Sequence, residues 1–234
     1  FFSLARGYGL AYGLLARSLW YLYRFLRTDL QVRYSRASLD LAGLAVAAHL
    51  TLIHFLVSLT VVVLLATALT APAGASGARR IAHALKVNAV GLTMVGLVLL
   101  PAAFVIRGLR NAGAFFYGGS TSFWRDTVLG TFSGLLYDNE YAVPLGALLG
   151  PRSLPLSHLL GILAILLMAV ALWSSIRILT LHRSPPHLFL PALVFVVYAC
   201  ALASLSQHHL LGVHYLQRRT GMYLLILVAF VFVV

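Results

Sequence analysis

Acids are what this chain has least of. Five of its 234 residues are Asp or Glu, against 17 Lys or Arg, and charged residues make up 9% of the whole, where a soluble domain carries about 25%. So little charge cannot coat a water-facing globule, which excludes an ordinary soluble domain. Cysteine occurs once, at Cys200 inside an apolar run, which excludes an internal disulfide framework and a cysteine-based metal site. Lysine also occurs once, at Lys86, beside 16 arginines. The formal charge of +12 would point to nucleic acid if the arginines formed one solvated patch. They stand instead between apolar runs, so no nucleic acid is expected as a partner; membrane lipids with anionic or phosphate-bearing heads are. A planar guanidinium that grips phosphate through two donors suits that role. The sequence also lacks a glycine-rich phosphate loop, a Ser-His-Asp arrangement and a glycosylation sequon.

What fills the chain is hydrocarbon: 61% of residues are hydrophobic and the mean hydropathy is +0.95. Six apolar blocks run from Tyr8 to Leu26, Leu39 to Leu69, Val87 to Ile106, Leu156 to Leu179, Leu188 to Leu205, and Gly221 onward. Several reach the ~20 residues needed to cross about 30 Å of hydrocarbon. The fold class expected is all-α, a polytopic transmembrane helix bundle of six or seven spans. The chain begins on Phe1 and stops within "LLILVAFVFVV", so residues 1–234 read as part of the transmembrane domain of a larger protein, with no signal peptide to assign.

Charge placement sets a topology. Arg24, Arg27, Arg33 and Arg36 separate the first two blocks, and Arg79, Arg80 and Lys86 separate the second from the third. Short basic loops stay in the cytoplasm. A 31-residue block whose ends share one side crosses twice or re-enters, which predicts two short helices broken near "HLTLIH"; one tilted span is the alternative. Counting onward makes residues 107–155 an external loop and places "SQHHLLGVHYLQRRT" outside as well.

Within the first block, Arg6, Gly13, Arg17 and Arg24 share one helical face, and Gly9 with Gly13 forms a small-xxx-small strip expected to pack closely. Arg17 lies mid-span, where its insertion costs about 2.5–3.5 kcal/mol, so it is expected to face the bundle interior or a wet cavity. In the external segment, Gly118 and Gly119 break the chain and Ser120 to Ser122 offer an N-cap. Trp124, Val128, Phe132, Leu135 and Leu136 then recur at helical spacing, which predicts an interfacial amphipathic helix over residues 122–136. Asp126, Asp138 and Glu140 are the external acids, available for base or metal work, with solvated loop residues as the alternative. The nine histidines lack a ligand spacing such as i and i+4, and neither a metal nor another cofactor is expected from them.

Three patches, "FFSLARGYGLAYGLL", "AFFYGGSTSFWRDTV" and "HHLLGVHYLQRRTGMYL", resemble bacterial multi-pass proteins related to the GT-C glycosyltransferases, the class of the dolichyl-phosphate-mannose protein mannosyltransferases. The resemblance implies an enzyme of the cytoplasmic membrane that moves a sugar from a polyprenyl-phosphate donor to an acceptor on the outer face. It implies a catalytic acid in a loop upstream of residue 1, leaving the catalytic residue unassigned here. It also implies substrate-binding roles for Arg6, Tyr8, Tyr117, Arg218 and Arg219. A Pro frequent in the relatives is replaced here by Leu216. A non-catalytic transporter or lipid flippase, and an O-antigen polymerase or ligase, are the competing readings. Charges gathered at span ends, rather than distributed through the spans, favour the enzyme.

Overall fold

The structure, a computed structural model, describes residues 2–28, 30–72, 74–112, 120–135, 153–181, 185–211, 214–215 and 221–233. The described residues form nine α-helices, and the fold class is all-α. Among the described residues, four helical stretches are long and apolar enough to cross a membrane: Leu50–Ala68, Ala89–Leu109, His158–Thr180 and Phe189–Leu210. The chain is therefore a membrane protein. It divides into two compact units, one of Phe1–Gly108 with Ser175–Cys200, the other of Leu109–Ser174 with Ala201–Val234.

The first unit is built on a helical hairpin, α1 (Phe2–Arg27) and α2 (Val32–Ala48). Leu30 takes a left-handed φ of 60° in the turn, which costs a non-glycine residue roughly 1–2 kcal/mol. Its buried side chain and its N–H, donated to the Phe25 carbonyl at 3.0 Å, hold it there. Contacts pair Tyr8 with His49, Ser18 with Ser38 and Arg24 with Tyr34, so the two helices run antiparallel. On α1 the buried seam is Ala11, Leu15, Ser18, Leu22 and Phe25, spaced alternately four and three as in a coiled-coil interface. On α2 it is Ser35, Ser38, Ala42 and Ala45, small residues that let the backbones approach. The Ser18 hydroxyl donates to the Ser38 carbonyl at 2.8 Å and the Ser38 hydroxyl to the Ser18 carbonyl at 2.9 Å.

Two expectations are corrected here. Gly9 and Gly13 meet open space rather than a partner helix, because the serine–alanine seam supplies the close approach. Arg17 is exposed, with its guanidinium 5.1 Å from the centre of the Tyr21 ring; it stands one residue, about 100°, off the seam, which is filled by larger apolar groups.

The long second block does break where its flanking charges require. α2 ends at His49, whose backbone is extended (φ −154°, ψ 105°), a short 3-10 turn covers Leu50–Leu52, and α3 (Ile53–Ala68) follows. Asn88 shows that α3 returns: its side-chain carbonyl accepts from Ser35 at 2.9 Å, and its amide donates to Thr67 at 3.0 Å. The start of α2 and the end of α3 thus lie at one level, and the basic residues 24–36 and 79–86 belong to the same end of this unit. The second basic stretch is not a loop, however. It is α4 (Gly77–Val87), capped by Ser76, and Asn88 joins it to α5 (Ala89–Asn111). α5 runs parallel to α2: a methyl on Gly91 would sit 2.9 Å from Leu39 Cδ1, and one on Gly43 3.3 Å from Val98 Cγ2.

In the second unit, Ser122 caps a π-helix, Phe123–Leu129, that continues as α6 (Gly130–Leu135). The remaining helices are α7 (Ser153–Leu181), α8 (Phe189–Leu211) and α9 (Met222–Val233). α7 and α8 each contribute residues to both units. α8 extends past the fifth apolar block, so Ser206–Leu211 of the expected external loop is helical.

Two outcomes test this arrangement. In a Cys200→Ala background, Gln31→Cys and Ala78→Cys, both at exposed positions, are expected to label from the same side of sealed membranes; labelling of one from the outside only would break the α2–α3 return. Ser38→Ala removes one of the two reciprocal bonds and is expected to cost about 1 kcal/mol in reversible unfolding. Ser38→Leu overpacks the seam and should cost more, about 1–3 kcal/mol.

Candidate functional site

In the first unit, the end opposite Asn88 collects polar and aromatic groups around the α2–α3 break. An extended residue at His49 lets the chain turn back, and this exposes backbone groups that a continuous helix would pair. Its own N–H is satisfied by the Ala45 carbonyl at 2.8 Å, and its Nδ1 shares a hydrogen bond with the Thr51 hydroxyl. Tyr8 of α1 lies against it, ring centres 4.3 Å apart, with Tyr12 6.0 Å from Tyr8. The half-buried imidazole, where neutral, donates from one nitrogen and accepts at the other. Of the residues expected to bind substrate, Tyr8 is thus placed in a group of phenol, imidazole and hydroxyl. Arg6 lies on the same helix, in its first two turns; its side chain is outside the described residues.

His49 and Thr51 were not singled out as binding residues from the sequence. The signal was present in the forced break of the 31-residue block, since a chain reversal gathers whatever polar residues it contains at one end.

The second unit organises its own group around Asp126, which is buried at 4% exposure. Its Oδ2 accepts from the Thr121 N–H at 2.7 Å and the Ser122 N–H at 3.0 Å, and the Thr121 hydroxyl donates to the same carboxylate at 2.9 Å. The Ser122 hydroxyl in turn accepts from the Arg125 N–H at 3.1 Å. These bonds tie the turn to the helix start, where a negative charge also meets the positive end of the helix dipole. Asp126 is therefore neither a solvated loop residue nor an open carboxylate.

The helix expected over residues 122–136 is present for its described part, but its apolar side does not stand alone in an interface. A methyl on Gly161 of α7 would sit 2.9 Å from Trp124 and 3.2 Å from Val128, so glycine is what lets the π-helix lie against α7. The π form, uncommon and concentrated at functional sites, spans this contact. Trp124 also meets the His158 ring edge-on at 6.4 Å. Phe123 meets Tyr215 at 6.1 Å, and Tyr215 stacks on His208 at 3.8 Å.

Phe123 belongs to the second of the three patches quoted from the sequence and Tyr215 to the third, so two segments some 90 residues apart meet in one unit. Tyr117, Asp138, Glu140, Arg218 and Arg219 lie outside the described residues. Among the described residues, no group of three His, Cys, Asp or Glu is placed to hold a metal. No family model, no curated protein and no solved structure matches the chain.

The bonds to Asp126 separate a structural role from a proton-accepting one. Asp126→Asn keeps one carbonyl oxygen for the two backbone N–H groups, whereas Asp126→Ala leaves them without a partner, at a cost of about 1–3 kcal/mol. The expected outcome is near-normal unfolding and near-normal activity of the full protein for Asn, and lowered stability for Ala. A folded Asn variant without activity would make Asp126 a proton acceptor instead.

Proposed function

We propose that the full protein is a membrane glycosyltransferase, transferring a sugar from a polyprenyl-phosphate donor to an acceptor at the outer face of a bacterial cytoplasmic membrane. The observation that carries this reading is the meeting of the second and third patches through Phe123, Tyr215 and His208. Those patches resemble GT-C enzymes, and their contact gives them one shared location rather than two unrelated resemblances. In the proposed reaction an acceptor hydroxyl attacks the anomeric carbon, a general base takes its proton, and the sugar–phosphate bond breaks with the electron pair leaving on the lipid phosphate. Arg6, Arg218 and Arg219 are the groups of the right sign to hold that phosphate. Tyr8 and Tyr117 supply aromatic and hydroxyl contacts to the sugar, and by the resemblance the base is an acidic side chain.

A charge-assisted contact to phosphate contributes roughly 1.5–3 kcal/mol. Arg219→Ala in the full-length protein is therefore expected to lower donor turnover about ten- to a hundredfold at equal protein level. Arg219→Lys should recover part of this, because an ammonium keeps the charge and loses the planar fork. Complete recovery by Lys would make Arg219 a helix-end anchor. Absence of sugar transfer by the intact protein with every polyprenyl donor tried would move the reading to a transporter.

A further inference from the structure

Helix α4 has no place in the sugar-transfer reading, and its three faces differ in chemistry. Ala84 is buried toward the body of the first unit, and on the same side Arg80 Nε donates to the Ala75 carbonyl at 3.2 Å. A second face carries Ala78, Ile81, Ala82 and Leu85; Ile81 is 61% exposed and Leu85 45% exposed. The third, beside it, carries Arg79, His83 and Lys86, since steps of four and three return to one side of a helix. No acidic residue lies within α4.

The depth of this helix is fixed by its neighbours. α3 ends at Ala68, α5 begins at Ala89, and both belong to stretches able to cross a membrane. A helix joining two such ends lies at the boundary between hydrocarbon and headgroups. An exposed Ile–Leu face beside a cationic strip then matches the two layers it meets there. The same end of the unit holds further cations. Arg24 and Arg33 both donate to the Tyr34 hydroxyl, at 3.1 and 3.0 Å, and Tyr34 precedes Ser35, which is bonded to the Asn88 cap of α4.

We propose that α4 is an interfacial binding site for anionic phospholipid, with Ile81 and Leu85 in the acyl region and Arg79 and Lys86 on the headgroup phosphates. The occupant is the lipid of the bilayer the protein crosses, because only a ligand already at that depth meets the apolar and cationic faces together. The proposal is independent of the sugar-transfer reading. Each basic side chain near an anionic surface is expected to change lipid association about fivefold.

The test uses the full chain in nanodiscs of phosphatidylcholine, with and without phosphatidylglycerol. A nitroxide at Ala82→Cys, in a Cys200→Ala background, should report contact with hydrocarbon rather than water. Phosphatidylglycerol should be retained over phosphatidylcholine on purification. That preference should fall about fivefold in Arg79→Gln, fall further when Lys86→Gln is added, and return in Arg79→Lys. An aqueous environment at Ala82 overturns the proposal, and so does equal retention of the two lipids by wild type and the double variant.

Discussion

A polar group buried away from water needs a hydrogen-bond partner within the protein, because leaving it unpaired is costly. In the first unit that constraint decides which helices touch and at what height. Ser18 and Ser38 are both fully buried and satisfy each other's hydroxyls and carbonyls across α1 and α2. The exchange is possible only where the backbones come close, which is why Ala42 and Ala45 continue the seam. Asn88 acts in the same way at one end, engaging Ser35 of α2, Thr67 of α3 and the Ala84 carbonyl of α4. With those bonds in place, α2 and α3 have no freedom to slide, and the reversal at His49 is carried to the opposite end.

The two ends of the first unit differ accordingly. The end held by Asn88 has its polar atoms committed to helix–helix bonds, and its cations are left to face outward. The end at His49 has a broken helix, a partly buried imidazole and the Tyr8 ring. The cation face of α1 follows from the same economy of space. Seam positions are taken by Leu15, Leu22 and Phe25, so Arg17 and Arg27 turn away and cover Tyr21 and Tyr23 at 5.1 and 5.4 Å. A guanidinium over an aromatic face keeps a favourable contact without a carboxylate partner, useful in a chain with so few acids.

The parts of this architecture that follow from long-range bookkeeping of charge and length were legible in the sequence. The break near residues 49–54 is one, because two basic stretches flanking 31 apolar residues leave an odd number of crossings inconsistent. The interior face of α1 was not. Two glycines suggest close packing, but the competing alternate spacing through Ala11, Leu15, Ser18, Leu22 and Phe25 wins because it buries far more apolar surface. Helix α4 was hidden for a different reason. Eleven residues with a low mean hydropathy look like a basic loop, and only the Ser76 cap with Ile81 and Leu85 one turn apart marks the helix. Asp126 was visible as an acid in the right segment, but whether its oxygens are open depends on the backbone of Thr121 and Ser122, which composition does not encode.

The described acids bear on what this part of the chain contributes to chemistry. Asp40 lies 3.7 Å from the Arg36 guanidinium in an i, i+4 pair, and Asp126 is bound by two backbone N–H groups and a hydroxyl. The Asp126 oxygens are thereby taken up within their own turn. Around His49 the first unit gathers phenol, imidazole and hydroxyl groups, and around Asp126 the second gathers hydroxyls and backbone N–H groups, neutral hydrogen-bonding groups in both cases.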